Sequence, residues 1–460
     1  MRPNILFVFS DQHRWSDLGC YGNKEVQSPY LDEFARSGTT VEACLSNCPL
    51  CVPARGSLLT GLYPMKHRAV SNDLPIDPSA NSVAHALNGK GYHTGYMGKW
   101  HLGGIPRDQA IEQERRLGFT EWKVCNCSHD YLNSYYYDEK NRRHEINGYD
   151  AETYTTLAVD FIRRNKDEDQ PWALWLSWGP PHDPYFAVPE KYLARYDEQT
   201  LSLRPNVPDT IVHSLGHRWT REEARRNLKG YYAHITALDE QFGRLVKTLE
   251  ESGQLENTIV VYTSDHGDQL GSNGYTNKQL PYEESVRVPL IVRGPGIQPG
   301  ARTSAMIGTT DLPVTVLSLA GVELDGADGR DLSSIFSDNS ATGLDECYLF
   351  DLVPCHQSAR RGTGAWRAVR TRRYTYACSD NGEPALFFDN LADPAQRNNL
   401  VADRAYADIL SALQARVKAF ADEYDALIPW PNLLKENGLL DEWNKSQRYF
   451  GEPETIPAIT

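Results

Sequence analysis

A chain of 460 residues that is 40% hydrophobic and 10% aromatic can bury a full core, which excludes a small stapled scaffold and a disordered polymer. Its formal net charge of -14 excludes nucleic acid or an anionic membrane as the main partner, since both need a basic footprint. Nine cysteines, at 20, 44, 48, 51, 125, 127, 347, 355 and 378, lack the density of a secreted disulfide framework. The apolar start Ile5-Leu6-Phe7-Val8-Phe9 is too short for a signal segment with its cleavage site, and no run reaches membrane-spanning length. The chain as written is therefore expected in the cytoplasm, or in the periplasm or outside the cell where a leader has been removed.

In chain order, residues 4–10 form an apolar run that ends at Asp11. Ser28 as N-cap, Pro29 at the first helical position and Gly38 as a stop predict a helix over 30–37, with Leu31, Phe34 and Ala35 on one face. Further apolar runs over 92–98, 172–178, 258–263 and 289–293 end at Lys99, just before His182, at Asp265 and in Gly-Pro-Gly. Over 222–252 the residues Ile235, Leu238, Phe242, Leu245 and Leu249 recur at three- and four-residue spacing, the stripe of a helix packed on a sheet. Such alternation predicts βαβ units, and in open sheets of this kind ligands bind where strand carboxyl ends bring distant residues together.

Two segments, 105–149 and 183–227, follow neither rhythm and are expected to be loops or insertions over the site. Past residue 340 the pattern changes to strand-like pieces over 366–370 and 374–377, a turn at 380–382 and a final amphipathic helix over 404–424. The expected architecture is α/β: a large, mostly parallel sheet sandwiched by helices over residues 1–340, and a smaller C-terminal α+β domain with an antiparallel sheet over 341–460.

The most informative segment is Cys51-Val52-Pro53-Ala54-Arg55-Gly56-Ser57-Leu58-Leu59-Thr60-Gly61, a thiol at a helix start with an arginine one turn in. Cys48-Pro49-Leu50-Cys51 also fits the C-x-x-C of thiol oxidoreductases, and Cys125-Asn126-Cys127 is a second close pair, neither with partners at zinc-finger spacing. Asp11-Gln12 and Thr263-Ser264-Asp265-His266-Gly267 each set polar groups at a strand end, and Gly98-Lys99-Trp100-His101-Leu102-Gly103, Pro181-His182 and Lys278 add cations and proton carriers.

Together these motifs resemble the sulfatase family, the formylglycine-dependent type I sulfatases of the alkaline phosphatase superfamily. The C-terminal Leu386-Phe387-Phe388-Asp389, Asp393-Pro394 and Asn398-Asn399-Leu400 extend the likeness over nearly the whole chain. The resemblance implies an alkaline phosphatase-like fold and conversion of Cys51 to formylglycine by a formylglycine-generating enzyme, the hydrated aldehyde being the nucleophile. It implies one divalent metal held by Asp11, Gln12, residue 51, Asp265 and His266. The oxygen ligands favour Ca²⁺, and the imidazole leaves Mn²⁺ open.

By the same resemblance Arg55, Lys99 and Lys278 stabilise the sulfate charge, and His182 or Lys278 protonates the leaving oxygen. His101 takes the proton whose loss expels sulfate. The expected activity is hydrolysis of an organic sulfate ester, by preference a carbohydrate one, with the Tyr-rich stretch 130–137 and Arg360-Arg361 as candidate sugar contacts. Asp11-Gln12 with His67 and Asn72 also resembles phosphonate monoester hydrolases, so a phosphonate or phosphodiester substrate is the first alternative. A catalytically silent glycan-binding relative is the second.

Overall fold

The computed structural model describes residues 2–451 apart from 339 and 426. The strands are β1 (Asn4–Asp11), β2 (Thr39–Leu45), β3 (His93–Lys99), β4 (Glu121–Cys125), β5 (Asn133–Tyr137), β6 (Arg143–Asn147), β7 (Trp172–Pro181), β8 (Ile211–Val212), β9 (Arg218–Trp219), β10 (Thr258–Ser264), β11 (Arg287–Val288), β12 (Ile291–Arg293) and β13 (Ala301–Gly308). A second group comprises β14 (Glu346–Asp351), β15 (Trp366–Thr371), β16 (Tyr374–Ser379) and β17 (Pro384–Asp389).

The apolar run of β1 is continuous because both of its faces are covered. Leu6 and Val8 point into one core, with Phe34, Phe161, Leu238 and Phe242. Ile5, Phe7 and Phe9 point into the other, with Val52, Leu58, Leu87 and Val316, as the two-residue period of a strand requires. The first face carries the helices Pro29–Ser37, Asp150–Arg164 and Arg221–Glu251; the second carries Cys51–Thr60, Val83–Asn88 and Asp311–Leu319. The sheet runs β13-β2-β12-β10-β1-β7-β3-β4-β5-β6, with β11 also beside β2. Its centre, β10-β1-β7-β3-β4, is parallel, so these five strands end at one edge.

Register decides what meets at that edge. Ser10 of β1 lies opposite Ser264 of β10, so Asp11 and Asp265 leave adjacent strands at the same level. Gly98 of β3 pairs with Ser177 of β7 at φ 105, and a Cβ there would sit 1.8 Å from the Ser177 carbonyl oxygen. Only glycine permits this approach, which delivers Lys99 to the same edge.

The helix at Pro29 buries Leu31, Phe34 and Ala35 as expected. Its cap differs from the expectation. The Ser28 side chain makes no cap bond; Asp239 of the long helix accepts from Tyr30 N at 3.1 Å and Leu31 N at 2.7 Å and so fastens the two helices together. The long helix starts with a capping box between Thr220 and Glu223.

Residues 105–149, expected as loop or insertion, contain β4, β5 and β6, which extend the main sheet. Each is only five residues long, and β5 and β6 carry too little apolar alternation to be read as strands. Residues 183–220 are largely irregular, with one short helix, Glu190–Leu193, and the β8–β9 hairpin, and 221–227 are the first turns of the long helix. The expected final helix is Ala407–Tyr424, and it is not final: Trp430–Glu436 and Leu440–Tyr449 follow it.

The second sheet is antiparallel in the order β14-β15-β16-β17 and packs against Ala407–Tyr424. Its core includes Cys48 and Leu50, just before the Cys51 helix, beside Phe350 and Leu352. No helix among the described residues is long and apolar enough to cross a membrane.

A buried carboxylate ties the sheets together. Glu283 accepts from Arg370 Nε at 2.7 Å and from Arg287 Nη1 at 3.3 Å. Burial would raise this carboxyl, but Arg370 and Arg287 pull it down from 4.5 to about 2. Its stabilising contribution is therefore complete above pH 4.5 and is lost as pH falls through about 2. Glu283→Gln is expected to cost about 3 kcal/mol at pH 7. In urea titrations across the acid range it should also lose less stability than the wild type between pH 4.5 and 2.

Candidate active site

Cys51 is the first residue of a ten-residue helix, and its sulfur faces the carboxyl edge of the main sheet. Its Sγ lies 3.2 Å from His266 Nε2 and 3.6 Å from Asp11 Oδ1. Val52 N donates to Asn72 Oδ1 at 3.1 Å, so that side chain meets one open amide of the first turn. Burial would raise the Cys51 thiol, but Lys278, His266 and Lys99 around it draw it well below the usual thiol range. Cys48 turns the opposite way, into the core of the second sheet, so the C-x-x-C pair does not share one site. All nine cysteines are free thiols.

Arg55, fully buried one turn into the helix, spans the two strand ends. Nη2 donates to Asp11 Oδ2 at 3.0 Å and Nη1 to Ser177 Oγ at 2.7 Å and the Lys99 carbonyl at 2.9 Å, while Nε stands 3.0 Å from Asp265 Oδ2. Its donors thus hold the two carboxylates in place. Lys99 Nζ donates to Asp11 Oδ2 at 2.6 Å. Burial and the Cys51 charge would raise the Asp11 carboxyl, and Lys99 with Arg55 outweighs them and holds it below the usual carboxylate range.

Asp11, Cys51, Asp265 and His266 offer ligand atoms that all lie within 4.8 Å of one another. Three observations fit a cation there. The Asp265 carboxyl is pushed up by burial and by the neighbouring Asp11 charge, a repulsion that a cation relieves. Asp265 Oδ2 is buried without a well-directed hydrogen bond. His266 Nδ1 lies 3.0 Å from the Gly267 carbonyl, which holds the ring proton and leaves the Nε2 lone pair facing the cluster. Gln12 joins through its backbone, N donating to Asp265 Oδ1 at 3.1 Å. Its side chain is fixed by Asp268, which accepts from Nε2 at 2.7 Å, so that Oε1 accepts from Lys278 Nζ at 2.6 Å.

On the other side of Cys51, Lys278 Nζ lies 2.6 Å from His182 Nε2, and His182 Nδ1 lies 2.7 Å from the Asp183 carbonyl. The carbonyl can only accept, so Nδ1 carries the ring proton and Nε2 accepts from the ammonium. His101 is buried beside Cys51 and Cys127, with Asp73 Oδ1 3.6 Å from its Nε2. The ten residues proposed from sequence for catalysis and metal binding, Asp11, Gln12, Cys51, Arg55, Lys99, His101, His182, Asp265, His266 and Lys278, therefore lie together at one edge.

Four neighbours escaped the sequence reading. His129 stacks on His182 with ring centroids 4.5 Å apart and sits 3.4 Å from Lys99 Nζ. Ser177 anchors Arg55, Asp268 orients Gln12, and Asp73 faces His101. A hydroxyl inside the apolar run 172–178 and an acid two residues past Asp265-His266 were available signals for Ser177 and Asp268. His129 and Asp73 had none. Of the suggested sugar contacts, Tyr131 is buried with its hydroxyl on the Gly179 carbonyl, and Arg361 turns inward to donate to the Thr276 carbonyl at 2.9 Å.

The family profile described as Sulfatase matches residues 3–322. The chain belongs to the sulfatase family. A second profile, N-sulphoglucosamine sulphohydrolase, C-terminal, matches residues 271–423. The sulfatase is 36% identical over 422 residues to an ulvan-active sulfatase of Formosa agariphila, covering 90% of this chain and 80% of that protein. It is 27% identical to an N-acetylglucosamine-6-O-sulfatase of Bacteroides thetaiotaomicron, covering 92% of this chain and 87% of that one. Among solved structures, a putative sulfatase of Bacteroides fragilis superposes with a TM-score of 0.83 at 28% identity, over 94% of this chain and 97% of that chain. A phosphonate monoester hydrolase of Silicibacter pomeroyi shares the fold, with a TM-score of 0.76 at 24% identity over 93% of this chain and 97% of that chain. The protein is accordingly a sulfuric-ester hydrolase with the alkaline phosphatase-like fold of its relatives.

The fit of the donor set to a cation predicts a stability response. Calcium or manganese at about 100 times its dissociation constant should stabilise the wild type by about 2.7 kcal/mol. Asp265→Asn, which halves the facing charge, should lose most of that gain in thermal melts with and without metal.

Proposed function

We propose that the sulfatase cleaves a carbohydrate sulfate ester through a formylglycine formed from Cys51, with one divalent cation held by Asp11, Gln12, Asp265, His266 and residue 51. The observation that carries this reading is the cluster itself: a buried Cys51 whose sulfur lies 3.2 Å from His266 Nε2 and 3.6 Å from Asp11 Oδ1, ringed by Lys99 and Lys278. The sugar named for the Bacteroides relative supports a carbohydrate alcohol. When bound, the cation would neutralise the facing carboxylates and favour the ionised form of the hydrated aldehyde.

The proposed chemistry then runs on the chain's own groups. Lys99 and Lys278 hold the sulfate oxygens where burial keeps water from screening them. One oxygen of residue 51, already ionised with its proton given up to solvent, bonds to sulfur as the sulfur–alcohol oxygen bond breaks, and the alcohol leaves with a proton supplied from the Lys278–His182 pair. That pair is joined at 2.6 Å, so either member can be refilled by the other. His101 next accepts the proton of the remaining hydroxyl, the carbon–oxygen bond to sulfate breaks, and the aldehyde re-forms. Water adds to it and restores the diol.

Intact-mass and peptide mass spectrometry of active enzyme should find formylglycine at position 51, and Cys51→Ala should lower sulfate release by at least about 10³-fold. An intact Cys51 in fully active protein overturns the mechanism. Across sulfated mono- and oligosaccharides the highest kcat/KM should fall on a sugar sulfate, and an aryl sulfate should exceed the matching aryl phosphonate. The reverse order would make the protein a phosphonate hydrolase on the same site.

A further inference from the structure

His101 has a backbone that is held firmly and a ring that is not. It sits at φ 60, its N–H donates to the Asn126 carbonyl at 2.6 Å, and the Asn126 side chain bonds Gly103 N and the Gly104 carbonyl. Neither ring nitrogen has a hydrogen bond of good geometry, although the residue is 2% exposed. The ring's neighbours are the sulfurs of Cys51 and Cys127 and one carboxylate, Asp73, whose Oδ1 is 3.6 Å from Nε2.

Asp73 is built to stay where it is. It follows Asn72, whose side chain caps the Cys51 helix, and it takes the left-handed conformation at φ 67, which aspartate tolerates better than most residues. Arg107 grips its carboxylate in bidentate fashion, Nε to Oδ1 at 2.7 Å and Nη2 to Oδ2 at 2.8 Å. The Arg107 guanidinium is backed in turn by the Phe450 ring, 4.6 Å away, at the end of the last described helix. One oxygen of a buried carboxylate thus lies 3.6 Å from Nε2 of a ring whose other polar neighbours are the sulfurs of Cys127 and Cys51.

We propose that Asp73, fixed by Arg107, is the positioning residue for His101. Its carboxylate keeps the proton on His101 Nε2 and stabilises the imidazolium, so that the other nitrogen accepts the hydroxyl proton when sulfate is expelled from residue 51. This inference rests on the formylglycine reading above. The step balances: the hydroxyl proton moves to the imidazole, the oxygen's electron pair forms the aldehyde carbonyl, and sulfate leaves with the electrons of the broken carbon–oxygen bond.

A positioning role in this half of the cycle has a kinetic signature that general damage does not. With a chromogenic aryl sulfate, Asp73→Asn should lower kcat about 10²-fold and lower KM in parallel, leaving kcat/KM within about threefold of wild type. Stopped-flow traces should show a burst of one alcohol per active site, with sulfate retained on residue 51 by mass spectrometry. Asp73→Glu, which keeps the carboxylate, should restore part of kcat and shrink the burst. Equal loss of kcat and kcat/KM without a burst, or unchanged kinetics, overturns the inference.

Should Asp73→Asn fail to fold, Arg107→Gln decides in its place: the same signature at smaller size supports the role, and wild-type kinetics refute it. A burst in Cys127→Ser but not in the Asp73 variant would transfer the role to Cys127 and overturn the inference. Formylglycine content is measured in every variant. An active wild type without it refutes the underlying function, whereas an Asp73 variant carrying it with ordinary kinetics refutes only the inference.

Discussion

Two carboxylates at the ends of adjacent parallel strands repel each other, and Arg55, which lies between them, is the interaction on which the rest of the site depends. Asp11 and Asp265 are completely buried, and Arg55 reaches both at 3.0 Å from a helix on one face of the sheet. Charges desolvated this far are tolerated only when paired, and removing one partner of such a set typically costs about 3–5 kcal/mol. The same guanidinium bonds Ser177 and the Lys99 carbonyl, so one side chain fixes the spacing of β1, β10, β7 and β3 at their functional ends. A cluster of this charge density is a poor way to stabilise a fold, and its cost points to a functional role for the charges held there.

Around that centre the backbone itself is held in uncommon shapes. Gln12, Asp73, His101, Asn277 and Gln279 all have positive φ without being glycine. Conformations of this kind cost about 1–3 kcal/mol each and persist only where the surroundings impose them. The constraints are visible: Tyr231 donates its hydroxyl to the Gln12 carbonyl at 2.6 Å, and Asn277 Nδ2 donates to Asp183 Oδ1 at 3.0 Å. Gln279 N donates to the Pro49 carbonyl at 3.1 Å, two residues before Cys51. Lys278, between two such residues, is held by backbone geometry on either side against Gln12 and His182.

The readable part of the site was the part with local context. Asp11, Lys99, His182 and Asp265 each follow an apolar run, and parallel pairing brings the ends of such runs together whatever lies between them. Arg55 was legible as a member of the site but not in its task, because no sequence shows which way a guanidinium will fork. Asp73 and His129 lie in irregular or weakly patterned stretches and gain their meaning only from contacts with His101 and His182. The strands β4 to β6 were missed for a related reason. They are short, five residues each, and β5 and β6 lack the clean apolar alternation that marks a half-buried strand. The helices after Tyr424 are brief, seven and ten residues, and they owe their stability to docking on the second sheet's core, which local pattern does not reveal.

Cys51 is 1% exposed, wedged between the sheet edge and the core that its neighbours Cys48 and Leu50 share with Phe350. Another enzyme cannot take hold of a residue so enclosed without prising the two sheets apart. If the thiol is converted, the conversion belongs to the interval before the chain closes, while residues 48–61 are still extended polypeptide. The maturation step would then compete in time with folding. The yield of competent molecules would be set by the order of those two events and not by the stability of the finished protein.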